Sequence, residues 1–142
     1  MMRTALIIGG IVIVAALGLA LRPAQQPTIA RAAGEPGAPL AEVVVPEIAG
    51  NALIGQRAYE AKCAKCHGLN GAGQEGVAPP LVHKIYEPSH HGDGAFLVAA
   101  RTGVQSHHWP FGNMPPVEGI TDAEVKAIVA YVRALQVANG IR

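Results

Sequence analysis

CAKCH, residues 63–67, holds the only two cysteines of this 142-residue chain. A thioredoxin-like redox pair would want βαβ surroundings, and nothing near this stretch alternates like a strand. A structural zinc site would want four ligands, usually with a second cysteine pair, and there is none. A disulfide between cysteines three apart in a helix is strained. The spacing C-x-x-C-H is instead that of covalent haem attachment. Two thiols one helical turn apart can each add to one of the two haem vinyl groups. The histidine that follows then lies under the porphyrin and can bind its iron. Because a rigid porphyrin fixes all three positions at once, the motif predicts one haem c held by Cys63 and Cys66, with His67 as an axial ligand.

Outward from the motif, the sequence reads as helices joined by loops. Asn51 to about Lys65 is expected as a helix capped by Asn51. A second helix is expected from Asp93, as its cap, through Arg101, with Gly103 as its stop. Thr121-Asp-Ala-Glu124 is a capping box opening a helix to about Val137. Val125, Ile128, Val129, Val132 and Leu135 fall on one face of it. No segment alternates as a strand, so the fold class is all-α, three to four helices. Only 4% of residues are aromatic, so large core-filling side chains are scarce. A small domain of that kind gains from an organic cofactor serving as its core. The 17 glycines and 11 prolines argue for long irregular loops, and the formal charge of +1 asks for no nucleic acid.

From about Gly50 to the end, the chain resembles a class I cytochrome c of the small bacterial monohaem type. Gly55, Tyr59 and Cys63 lie at i, i+4 and i+8, as in that family's N-terminal helix. Ile128-Val-Ala-Tyr131 is similar to its C-terminal helix, which crosses the first at the glycine. Pro79-Pro80-Leu81 resembles the P-x-L after the haem loop, which implies that the Pro79 carbonyl accepts a hydrogen bond from His67. Met114, the one methionine outside the chain start, stands in GNMPP, and the family presents its axial methionine as M-P. Pro115 restricts Met114 to extended geometry. The resemblance thus implies His67 and Met114 as the iron's axial pair and a raised potential. With both positions filled, the chemistry expected is one-electron transfer and not turnover of a substrate. Trp109 resembles a tryptophan whose indole N–H meets a haem propionate. Bis-histidine ligation through His107 or His108 is the rival assignment.

Two further features frame the domain. Residues 1–22 carry an uncharged run from Ala5 to Leu21, expected as an uncleaved signal anchor in the membrane, with a cleaved signal peptide as the alternative. Residues 23–49 read as a Pro/Ala-rich linker, and residues 50–142 as the haem domain. Both N-terminal readings export the domain to the periplasmic side of the bacterial inner membrane, anchored or soluble. Expected partners there are redox proteins: a quinol-oxidising complex or dehydrogenase on one side, a terminal oxidase or reductase on the other. Residues 48–142 hold eight Lys/Arg and seven Asp/Glu, so no strong electrostatic steering is expected. The pairs His90-His91 and His107-His108 flank the expected middle helix and suggest a second metal, since imidazole suits copper or zinc. A ten-residue helix spans roughly 15 Å, so a joint site requires both flanking loops to fold back. That possibility gives the alternative function, a copper-handling redox protein. His83 stands alone and reads as a surface residue.

Overall fold

The computed structural model describes residues 34–142. The expected anchor, residues 1–22, lies outside them, and among the described residues no helix is long and apolar enough to cross a membrane. Four α-helices are present there: α1 (Gly50–Lys62), α2 (Ala64–His67), α3 (Asp93–Thr102) and α4 (Asp122–Ala138). Short 3-10 turns occupy Leu69–Gly71 and Lys84–Tyr86. Among the described residues, pairing of extended backbone is confined to two isolated bridges, Gln74 with Ala78 and Val104 with Met114. The all-α expectation is met.

The helix starts show how far local chemistry decides. The capping box of α4 is complete: the Thr121 side chain accepts from the Glu124 N–H at 3.2 Å, and the Thr121 N–H donates to Glu124 Oε2 at 2.8 Å. Asn51 is not the cap of α1. Ala49 holds that position without a side-chain bond, because the chain turns into the helix at Gly50, φ +56, a conformation glycine adopts at little cost. Asp93 is likewise one residue inside α3, behind Gly92. Its carboxylate accepts from Arg133 Nε at 2.9 Å instead.

α1 and α4 cross at Gly55, where a Cβ would lie 1.8 Å from the Ala127 carbonyl oxygen. No other residue type permits that approach. Around the crossing, Tyr59, Val82, Ile128, Tyr131, Val132 and Leu135 form the main core. The Tyr59 and Tyr131 rings lie 5.5 Å apart and tilted, a pairing that adds about 0.5–1.5 kcal/mol beyond burial. Both phenols reach the loop beyond CAKCH: Tyr59 donates to the Gly68 carbonyl at 2.8 Å, and Tyr131 to Asn70 Oδ1 at 2.9 Å. The crossing therefore positions the motif as well as the core. α3 packs on α4 through a smaller cluster of Ala100, Val125 and Val129.

From residue 34 onward, the expected linker is laid against the domain. Gly37 N–H donates to Glu75 O and Glu75 N–H to Ala38 O, each at 2.8 Å, and Ala38 is fully buried. Asn139 brackets Val44, accepting from its N–H at 2.9 Å and donating to its carbonyl at 2.8 Å. Val43 and Ile48 pack on the core. Proline-rich composition hid these anchor points, which are backbone groups meeting partners far along the chain.

Candidate functional site

The proximal elements are built by α1, α2 and the loop after them. Cys63 closes α1 through its N–H to Tyr59 O at 2.8 Å, and His67 N–H returns to Cys63 O at 2.9 Å. Both thiols are free, Cys63 half-buried and Cys66 exposed. Burial, and then the neighbouring Cys66, push the Cys63 thiol up to about 11. His67 Nδ1 stands 2.9 Å from Pro79 O. A carbonyl can only accept, so Nδ1 carries the proton and Nε2 is left free as a ligand atom. Burial holds His67 below the ordinary histidine value, with the Pro79 carbonyl working the other way. A neutral imidazole with a free Nε2 is the form that binds metal. Gln74 braces this turn, donating from Nε2 to Lys65 O at 2.7 Å.

Met114 is held by backbone. Val104 and Met114 exchange N–H···O bonds of 2.9 and 3.0 Å, and Val117 N–H ties the outgoing chain to Ala100 O at 2.8 Å. Gly103, φ +76, makes room: a Cβ there would stand 2.4 Å from Met114 O. Residues 105–113 form an excursion between the two arms of this bridge, pinned by Ser106 N–H to Asn113 Oδ1 at 2.9 Å. The Met114 side chain is half-buried.

Trp109 tips this excursion, with Phe111 stacked at 5.9 Å and the edge of His83 at 5.1 Å. His83 is therefore half-buried in an aromatic contact, not a free surface residue, and its Nδ1 accepts from Ile85 N–H at 3.2 Å. Trp109 Nε1 is buried without a hydrogen-bond acceptor. Tyr86 is close enough for the indole to offset part of the burial that raises its phenol, yet the pair lacks hydrogen-bond geometry. A buried N–H without a partner costs about 1–3 kcal/mol. An anionic carboxylate brought by a cofactor would satisfy it. Two thiols, a pre-oriented imidazole and this orphan donor are together a set that fits haem.

The two histidine pairs, on either side of α3, meet. His90 Nε2 lies 3.4 Å from His108 Nε2, and the His107 and His108 rings are 4.2 Å apart. The ring centroids of His91 stand 5.3 Å from His108 and 6.1 Å from His107. Desolvation, then the three neighbouring imidazoles, hold His108 below the usual histidine value.

The residues supporting these loops escaped sequence reasoning. Arg133 donates from Nη1 to Tyr86 O at 2.7 Å and from Nη2 to His91 O at 2.6 Å, while its guanidinium lies 5.1 Å from the Phe96 ring centroid. Gln136, 1% exposed, donates to Leu81 O and Tyr86 O at 2.9 and 3.0 Å and accepts from Arg133 at 2.6 Å. The available signal was a glutamine on the apolar stripe of α4, where a polar side chain must have partners.

A family model described as Cytochrome c matches residues 52–136, from α1 through the motif and both histidine loops into α4. No curated protein matches the chain.

Proposed function

This chain belongs to the cytochrome c family, and from that premise we propose that it is a periplasmic one-electron carrier whose haem iron is held between His67 and Met114. Haem c is attached covalently through the Cys63 and Cys66 pair of CAKCH, and haem-based electron transfer is the family's activity. When bound, the group supplies a one-electron Fe(III)/Fe(II) couple.

The observation that carries the proposal is the His67–Pro79 bond, which fixes the tautomer and aims Nε2 before any iron arrives. What supports Met114 opposite it is the Val104–Met114 bridge, which holds the backbone of the chain's one described methionine in an extended pose. A thioether favours ferrous iron, so this pair sets a raised potential. It also leaves no open position for a substrate. Trp109 would donate to a haem propionate, answering its lack of a partner in the protein. His107 and His108, the rival iron ligands, lie against His90 and His91 instead. The apolar run from Ala5 to Leu21 supports export and anchoring at the periplasmic face. Near-balanced charge on the domain suits docking to a quinol-oxidising complex or dehydrogenase and to a terminal oxidase or reductase without strong steering.

Redox titration of the purified holoprotein, read by its optical spectrum, tests the ligand pair. Wild type should show the methionine–Fe(III) charge-transfer band. Met114→Ala should lose the band, fall in potential and bind CO when ferrous. A wild-type spectrum without the band, or an unchanged Met114→Ala, would overturn the assignment. Intact mass of membrane-extracted protein tests the anchor.

A further inference from the structure

The four histidines around α3 have no part in the electron transfer proposed above, yet their geometry is that of a ligand set. One ring nitrogen from each of His90, His91 and His108 lies within 4.8 Å of the others, and no carboxylate joins the group. Imidazole alone suits zinc and copper and gives magnesium or calcium nothing to hold.

The spacing narrows the geometry. With metal–nitrogen bonds of about 2.0 Å, two ligand nitrogens stand roughly 3.3–3.5 Å apart in a tetrahedral or trigonal site, and about 2.8 Å apart in a square-planar one. His90 Nε2 and His108 Nε2 are 3.4 Å apart. As a hydrogen bond between imidazoles that is long. As an edge of a tetrahedral or trigonal site it needs no adjustment.

The rings are also aimed. His91 Nδ1 donates to Ile85 O at 2.7 Å, so its Nε2 is the free nitrogen. Backbone-bonded Nδ1 with free Nε2 is how metal-binding histidines are oriented. His107 repeats the arrangement, with Nδ1 on Gln105 O at 2.8 Å. The loop carrying His90 and His91 is fixed from outside the cluster, by Arg133 on the Tyr86 and His91 carbonyls. A site on a braced loop loses less conformational entropy on binding.

We propose that His90, His91 and His108 form a second metal site, distinct from the haem iron, that takes a d10 cation, Zn(II) or Cu(I), with His107 or water in the fourth position. The site rests on the reading above only in that His108 is not an iron ligand, and it stands whether or not Met114 is one.

The test is equilibrium titration of tag-free holoprotein with Zn(II) against a chromophoric chelator, and anaerobically with Cu(I) against a Cu(I)-specific chelator. One equivalent of at least one cation should bind with submicromolar Kd, and X-ray absorption should show nitrogen ligands at about 2.0 Å. His90→Ala/His108→Ala should weaken binding at least 100-fold, and His91→Ala should weaken it independently, while the haem spectrum and potential hold in both. Binding of Zn(II) alone, Cu(I) alone or both supports the site and identifies its occupant. Failure of both cations to bind, or equal binding by wild type and the double variant, overturns it.

Discussion

Gly55→Ala and Gly94→Ala place the same methyl group in two helices and should move stability in opposite directions. In each helix, alanine is favoured over glycine by about 0.5–1 kcal/mol. At Gly94, in α3, the new Cβ meets nothing within 4 Å, so the gain should survive. At Gly55 it would stand 1.8 Å from Ala127 O, 2.4 Å from Ala127 C and 2.9 Å from Ile128 N. These are backbone atoms of α4, which no rotamer change can move aside. Raising the shortest contact to the 3.0 Å floor of real Cβ contacts separates α1 from α4 by at least 1.2 Å. The Tyr59–Tyr131 pair and both phenol hydrogen bonds sit at that crossing. Overpacking costs about 1–3 kcal/mol, and more where the core cannot yield. Taking about 3 kcal/mol against a helix gain of about 1, the net loss is about 2 kcal/mol.

In a domain of this size, that loss corresponds to a fall in Tm of roughly 8–16 °C. Guanidinium unfolding of the ferric holoproteins, followed by far-ultraviolet circular dichroism, measures both variants. If Gly55→Ala proved as stable as wild type, the close crossing would be wrong. If Gly94→Ala proved as damaging as Gly55→Ala, the loss would reflect glycine replacement in general and not this contact.

Trp109→Phe keeps an aromatic ring but deletes the buried N–H; if that donor meets a haem propionate, the ferric holoprotein should lose about 1.5–3 kcal/mol in denaturant titration. A variant as stable as wild type would remove the propionate contact. Gln136→Leu strips the Leu81 and Tyr86 carbonyls of a buried donor and should cost about 1–3 kcal/mol by urea unfolding; no loss would show that the clamp is idle. Glu124 is held below its ordinary 4.5 by the Thr121 N–H and hydroxyl, so its stabilisation is present above that value and is lost as pH falls through the lower folded-state value. Glu124→Gln retains a capping acceptor but cannot titrate, so its stability should fall less steeply than wild type's below pH 4.5, and parallel acid limbs in the two proteins would contradict this.

What was legible in the sequence was chemistry confined to a few adjacent residues. CAKCH carries its meaning in five positions, and the box at Thr121 and Glu124 in four. Gly55, Tyr59 and Tyr131 were readable because the family resemblance supplied the crossing that gives them a role. The histidine pairs were visible as pairs, but their meeting depends on the paths of two loops around α3, and no local pattern encodes a loop's return. Arg133 and Gln136 were illegible for a related reason. Their partners are backbone carbonyls 42–55 residues earlier in the chain, and a carbonyl looks the same in every sequence. The buried segment around Ala38 was hidden likewise, because its partners are the backbone of residues 72–75.

α4 ties the two regions together. Its start is set locally, by Thr121 and Glu124. Once that cap is fixed, each later residue follows at about 100° around the axis. Ala127 then faces Gly55 and Tyr131 reaches Asn70, which seats the haem-attachment loop. Arg133 and Gln136 face the other loop and hold Tyr86 and His91 by their carbonyls. A one-residue slip of α4 would rotate all four positions together and release both loops. The placement of the CAKCH turn and that of the histidine cluster are therefore consequences of one helix's phase. The two regions remain separately addressable by mutation, because they use different side chains of that helix.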